Sequence, residues 1–141
     1  MTDDTVLKDF LAGHGHGVLA TIRRDGRPQL STITYLYDAE PDTITASITE
    51  TRAKTKNMRR DPRVTFHVGS EDGRSYVVVE GRAELTPPAA APDDPTVEAL
   101  VEYYRRAAGE HPDWDEYRQA MVADQRVVLT IHVEKLLGLI R

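Results

Sequence analysis

The chain reads as an α+β protein, mainly β, whose strands form an antiparallel barrel with short flanking helices. Three observations carry that reading. Most of the apolar segments alternate with a period of two, as half-buried strands do. Most of them are separated by short turns. Helical periodicity is confined to the start of the chain and one late excursion, whereas a parallel sheet needs a crossover after each strand.

Residues 4–12 are predicted as a helix, because Val6, Leu7, Phe10 and Leu11 follow helical spacing and Gly13 suits its C-cap. Residues 17–23 form the first strand. Asp25-Gly26 marks a hairpin of type I′, in which both central residues have positive φ. The second strand runs from Gln29 to Tyr37, with Gln29, Ser31, Ile33, Tyr35 and Tyr37 on one face. The third, 43–49, puts Ile44, Ala46 and Ile48 on one face and Thr43, Thr45, Ser47 and Thr49 on the other. A short helix over 53–60 is stopped by Asp61-Pro62, since the residue before proline disfavours helical angles.

The fourth strand, 63–69, alternates Val64, Phe66 and Val68 against Thr65 and His67. Glu71-Asp72-Gly73 turns the chain into a fifth strand, 75–86, in which Gly81 marks a bulge or bend. Residues 87–95 are a Pro- and Ala-rich connector. Asp94-Pro95 then opens a helix with the stripe Val97, Leu100, Val101 and Tyr104. Asp113 and Glu116 open another, with Trp114, Tyr117 and Met121 inward. A last strand, 126–133 or a little longer, carries Val127, Leu129, Ile131 and Val133. The count is six strands in one domain of 141 residues.

Composition narrows the function. No run of eighteen apolar residues exists, so no membrane span is expected. The acidic opening Met1-Thr2-Asp3-Asp4 does not resemble a signal peptide. Absence of cysteine excludes disulfides, thiolate metal sites and a Cys nucleophile, and fits a cytoplasmic protein. A net charge of −5 argues against a general nucleic-acid binder. Gly15-His16-Gly17-Val18-Leu19-Ala20 has the letters of a dinucleotide fingerprint, but it follows a helix and opens a strand, the reverse of what that motif needs. His14 and His16 lack convergent partners for a metal. Asp93-Asp94 and Asp113 to Glu116 sit at helix starts, where capping accounts for them.

One segment stands out. Six of the eighteen Lys and Arg residues lie between Arg52 and Arg63: Arg52, Lys54, Lys56, Arg59, Arg60 and Arg63. With Asp61 the segment carries +5, which leaves −10 for the rest of a −5 chain. Arg offers phosphate a planar fork, Lys a mobile point charge, and Thr55 and Asn57 add neutral donors. Charge alone does not choose between a phosphate site and a solvated basic helix face.

The segments Gly17 to Ile22, Asp25 to Ser31 and Arg52-Ala53-Lys54-Thr55-Lys56-Asn57, with Leu85 to Asp94 and Asp113 to Met121, resemble the flavin and deazaflavin oxidoreductases. The likeness is to the F420-dependent oxidoreductases of the B group, within the pyridoxamine 5′-phosphate oxidase-like superfamily. That resemblance implies an FMN-binding-type split β-barrel, a homodimer and two cofactor clefts. It implies that Arg52 and Lys54 contact the cofactor phosphate, with Thr55 and Asn57 nearby. It further points to Gln29, Ser31, Thr32, Ser47, Ile48 and Tyr76 around the ring. The C-terminal Trp- and Arg-containing segment of pyridoxamine phosphate oxidases has no counterpart in Leu137 to Arg141, which argues against vitamin B6 as substrate.

Six cations suit a phosphate plus an oligoglutamate tail better than one phosphate, which favours coenzyme F420 over the alternative, FMN. The expected activity is hydride transfer from reduced F420 to a small unsaturated or quinone-like acceptor. The alternatives are an F420 storage protein and an FMN-dependent oxidase. Tyr35, Tyr37 and His67 can supply a proton by residue type, as can solvent.

Overall fold

The computed structural model describes residues 3–141; Met1 and Thr2, where the acidic opening begins, lie outside them. The elements run α1 (Asp4–Ala12), β1 (His16–Ile22), β2 (Pro28–Thr34), β3 (Leu36–Asp38), β4 (Thr43–Thr49) and α2 (Ala53–Arg60). They continue with β5 (Arg63–Gly69), β6 (Tyr76–Leu85), α3 (Pro95–Ala108), α4 (Trp114–Ala123) and β7 (Arg126–Leu139). The strands form one seven-stranded sheet in the order β2-β1-β5-β6-β7-β4-β3, with every neighbouring pair antiparallel.

The order itself dictates the shape. β2 and β3 are separated only by Tyr35, yet they occupy opposite edges of the sheet. A chain can do this only if the sheet curls until its edges meet, which makes a split barrel. The single second strand expected from 29–37 is therefore two strands. Alternation of side chains describes a strand's faces but not its partners, so the break is invisible to it. Tyr35 is the joint. Its N–H donates to Gly15 O at 3.0 Å, its phenol donates to Leu11 O at 2.6 Å, and its ring meets Phe66 edge-on at 5.1 Å. Burial raises the Tyr35 phenol pKa well above the ordinary tyrosine value.

The barrel interior is filled by the inward-facing, alternate positions of the strands. Leu19, Ile44, Phe66, Val79, Leu129 and Ile131 are all 0% exposed. Each such side chain contributes about 1.5–3 kcal/mol relative to exposure. Strand β5 shows the pattern cleanly, with Val64, Phe66 and Val68 buried and Thr65 and His67 outside. Leu7 and Leu11 of α1 join the same core. Gly81 sits at a register shift in the β6–β7 ladder, opposite the extra residue Glu134 of β7, and a Cβ there would lie 2.4 Å from His132 O. The irregularity read from the sequence at Gly81 is present, and the close approach of β7 is what requires glycine there.

Outside the barrel, Val97, Leu100 and Val101 of α3 and Tyr117 and Met121 of α4 pack with Val128 of β7. The Tyr117 hydroxyl donates to Leu100 O at 3.0 Å. Asp3, Asp94 and Asp113 cap α1, α3 and α4, accepting from Thr5, Val97 and Glu116 N–H groups respectively. Among the described residues, no helix is long and apolar enough to cross a membrane.

The β1–β2 turn departs from the expected type. Gly26 has φ +86°, but Arg24 and Asp25 do not have positive φ. Gly26 N–H donates to Arg23 O and Arg23 N–H donates to Arg27 O, each at 2.9 Å. This is a type I turn closed by a left-handed glycine, the second most common hairpin solution.

Candidate functional site

β2 pairs with β1 and not with β4, although the two approach across the closure. The gap opens as a cleft of about 390 Å3. β2 lines it with Thr32, Ile33 and Thr34, and β4 with Ser47, Ile48 and Thr49. Arg52 and Lys54, from the start of α2, and Arg126, the first residue of β7, complete the wall.

Local hydrogen bonds fix these positions. After β4 the chain reverses through Arg52 N–H to Thr49 O at 3.2 Å and Thr55 Oγ1 to Thr49 O at 2.7 Å. Glu50 N–H donates to Gln125 O at 2.9 Å, tying the same corner to the entry of β7. Gln125 adopts left-handed φ of +53°, and β7 then pairs Arg126 beside Thr49. Three cations from two distant segments thereby share one cleft.

No Asp or Glu lines that cleft. Lys54 has its pKa lowered, first by burial and then by the like charges of Arg52 and Arg126. The Arg126 guanidinium is underused. Its Nε is buried without a hydrogen-bond partner, Asp124 Oδ2 stands off at 3.8 Å, and Nη1 reaches Ser47 O only at 3.5 Å. Helix α2 has no side-chain N-cap and no acid in its first turn, so its positive end is uncompensated. Unmatched donors and positive charge around a polar gap suit a phosphate group.

The ten residues expected at the site divide. Thr32, Ser47, Ile48, Arg52 and Lys54 line the cleft together. Gln29 and Asn57 line a different cavity of about 860 Å3 on the other flank of α2. There Asn57 Nδ2 donates to Gln29 Oε1 at 2.9 Å and to Thr21 Oγ1 at 3.1 Å. Thr55 is 0% exposed and spends its hydroxyl on Thr49. Ser31 lines neither cavity. Tyr76 stacks on His67 at 5.8 Å on the outer face of the sheet.

The basic segment also divides. Arg59 forks onto Glu50 and donates to Thr86 O. Arg60 Nη2 donates to Ile22 O and Asn57 Oδ1. Arg63 pairs with Asp61, holding that carboxyl down at about 2. Among the described residues, Arg52, Lys54 and Lys56 have no ion pair or side-chain hydrogen bond. The proton candidates lie elsewhere: the Tyr37 phenol donates to Asp42 Oδ1 at 2.6 Å, and Tyr35 is in the core. Among the described residues, no group of three or more His, Cys, Asp or Glu gathers as a metal site.

Arg126 was not singled out from sequence. It stands far along the chain from the basic segment, and only the β4–β7 register brings it in.

The curled sheet and its cationic closure define a split-barrel protein with a cleft lined by three cations. The chain belongs to the pyridoxamine 5′-phosphate oxidase family, whose model matches residues 4–139. Solved structures agree. A conserved hypothetical protein of Mycobacterium tuberculosis is 27% identical, with a TM-score of 0.73, over 98% of this chain and 84% of that one. An F420 reductase is 26% identical, with a TM-score of 0.69, over 92% and 94%. The heme storage protein HutZ of Vibrio cholerae, at 16% identity and a TM-score of 0.69 over 97% and 94%, shares the fold.

Proposed function

We propose that this chain is a cytoplasmic F420H2-dependent reductase of the deazaflavin oxidoreductase B group. Its acceptor is a small unsaturated or quinone-like compound. The observation that carries the reading is the cleft at the barrel closure, where Arg52 and Lys54 meet unpaired and no carboxylate opposes them. The similarity to an F420 reductase over nearly the full length of both chains supports the choice of cofactor.

The donors present fit the cofactor. Arg52 and Lys54 would hold its phosphate. Thr32, Ser47 and Ile48 would border the chain and ring. The second cavity is lined by Arg24, Lys56 and Arg60, a cationic surface that suits the tail carboxylates, whereas Arg23 on the same wall is paired with Asp25. Of the six clustered cations, Arg59 and Arg63 are already committed to Glu50 and Asp61, so they drop out of this role. When bound, reduced deazaflavin supplies a hydride, and the protein supplies placement and electrostatics. The cleft wall offers no carboxylate, histidine or phenol, so solvent is the proton source in this reading.

That same absence favours one alternative, an F420 storage protein. Two measurements decide. Purified protein is titrated with F420 and with FMN, and oxidation of F420H2 is followed by absorbance over a panel of enones and quinones. Tight FMN binding without F420 binding overturns the cofactor, and points to a flavin-dependent oxidase. Turnover of any panel member well above background excludes storage.

The working unit in this proposal is a homodimer. The register aligns Thr32, Val18, His67, Val78 and Leu137 in one row across the outer face of the sheet. Leu30 is 64% exposed, Leu137 40% and Tyr76 37%. Thr32 also lines the cleft, so a second copy covering this face would border the site. Sedimentation as a monomer at micromolar concentration would remove the dimer from the proposal.

A further inference from the structure

We propose that Arg126 is a third ligand of the cofactor phosphate, supplied by β7 and acting with Arg52 and Lys54. The inference rests on the reading of the cleft as a phosphate site and adds a residue outside the basic segment.

Three observations converge on it. Arg126 lines the same polar cleft as Arg52 and Lys54. Its Nε is buried without a hydrogen bond, and its Nη1 contact to Ser47 O, at 3.5 Å, is at the outer limit of a hydrogen bond. Its one acidic neighbour, Asp124, is 3.8 Å from Nε, too far to satisfy it. A guanidinium with idle donors is costly in a half-buried position unless something accepts from it. An oxyanion in the cleft meets that need, and the planar fork of Arg suits two phosphate oxygens at once.

The placement is specific. Arg126 follows the left-handed Gln125, and its backbone pairs with Thr49. It therefore enters from the wall opposite β2, while Arg52 and Lys54 enter from the helix. Cations on separate elements fix an anion's position better than neighbours on one segment, because their separation is set by the sheet. The lowered pKa of Lys54, to which Arg126 contributes after burial and Arg52, is consistent with this proximity.

The test compares Arg126→Gln, which keeps a planar polar end, and Arg126→Lys, which keeps the charge. Each is titrated with F420 and with the deazaflavin that carries the ribityl chain but no phosphate or tail. Thermal denaturation is recorded with and without inorganic phosphate. The expected result for Arg126→Gln is about tenfold or greater weakening for F420, the size of one charge-assisted hydrogen bond, with the phosphate-free compound unchanged. Arg126→Lys retains part of the affinity. Wild-type protein is stabilised by inorganic phosphate through mass action, and Arg126→Gln much less so.

Equal weakening for both deazaflavins overturns the assignment, since the effect would then not run through phosphate. Unchanged F420 affinity overturns it too. Should wild type bind no F420 but show Arg126-dependent stabilisation by phosphate, the choice of F420 fails and the assignment of Arg126 to a phosphate group in this cleft stands. If Arg126→Gln does not fold, Arg126→Lys carries the comparison, and an affinity and phosphate response equal to wild type in Arg126→Lys overturns the need for the bidentate fork.

Discussion

Replacing Lys54 by methionine separates a binding residue from a structural one, because the two roles move two measurements in opposite directions. Lys54 is half-buried, and burial, Arg52 and Arg126 all disfavour its charge. In the ligand-free protein that charge is a cost. A group whose folded pKa lies below its unfolded value destabilises the fold while protonated, if it is a lysine, and the cost fades as pH rises through the folded value. Methionine keeps most of the alkyl stem and removes the repulsion. The ligand-free variant should therefore melt no lower than wild type. Its affinity for F420 should fall by about 1.5–3 kcal/mol, the worth of one hydrogen bond to a charged group, or tenfold to over a hundredfold in Kd. Calorimetric melting without ligand and isothermal titration with F420 give both numbers. A melting point several degrees lower with unchanged affinity would refute the reasoning and make Lys54 a packing residue.

Other expectations follow from the same geometry. An anion beside Lys54 raises its pKa, so affinity for a phosphate ligand is full while Lys54 is protonated in the free protein. It then declines as pH rises through the lowered free-state value, which lies under the ordinary 10.5. Titrations of wild type and Lys54→Met across the alkaline range should diverge, and parallel curves would remove Lys54 from the site. Asn57→Ala strands the Thr21, Gln29 and Arg60 polar groups, and urea unfolding should show a loss of about 1–3 kcal/mol. A loss near zero would mean that water replaces the amide. At Gly17 a Cβ would lie 2.6 Å from His67 O and 2.8 Å from Phe66 Cζ. Gly17→Ala should therefore cost about 1–3 kcal/mol by overpacking, also read from urea unfolding. An unchanged midpoint would show that β1 and β5 separate freely.

Local chemistry made much of this legible beforehand. The bounds of α1, β4, α2 and β5 follow from spacing and from Asp61-Pro62, signals that neighbours in sequence carry. What escaped was decided by distant partners. The break at Tyr35 depends on which edges β2 and β3 join, and a strand's alternation is the same on either edge. The turn at Asp25-Gly26 has sequence letters shared by two turn types, and only Gly26 takes positive φ. At the site, the basic segment was visible as charge, but α2 rotates its members to different fates. Asn57 and Arg60 face β1, Arg59 reaches Glu50, and Arg52 and Lys54 face the cleft. Arg126 carried no local signal, since its neighbourhood is set by a ladder with β4.

Strand β7 has a consequence for how the molecule comes into being. Among the described residues it is the one strand that joins two groups in the sheet, β2-β1-β5-β6 on one side and β4-β3 on the other. During synthesis from the N-terminus, all six of those strands emerge before Arg126. Until β7 follows, β4 and β6 each present an unpaired edge, the kind that recruits other chains. The ladder between β4 and β7 also spans a long stretch of sequence, which slows closure. The nascent chain thus passes through a stage of exposed strands, where shielding by a chaperone has the most to protect, and the cleft comes into existence only when the last strand docks.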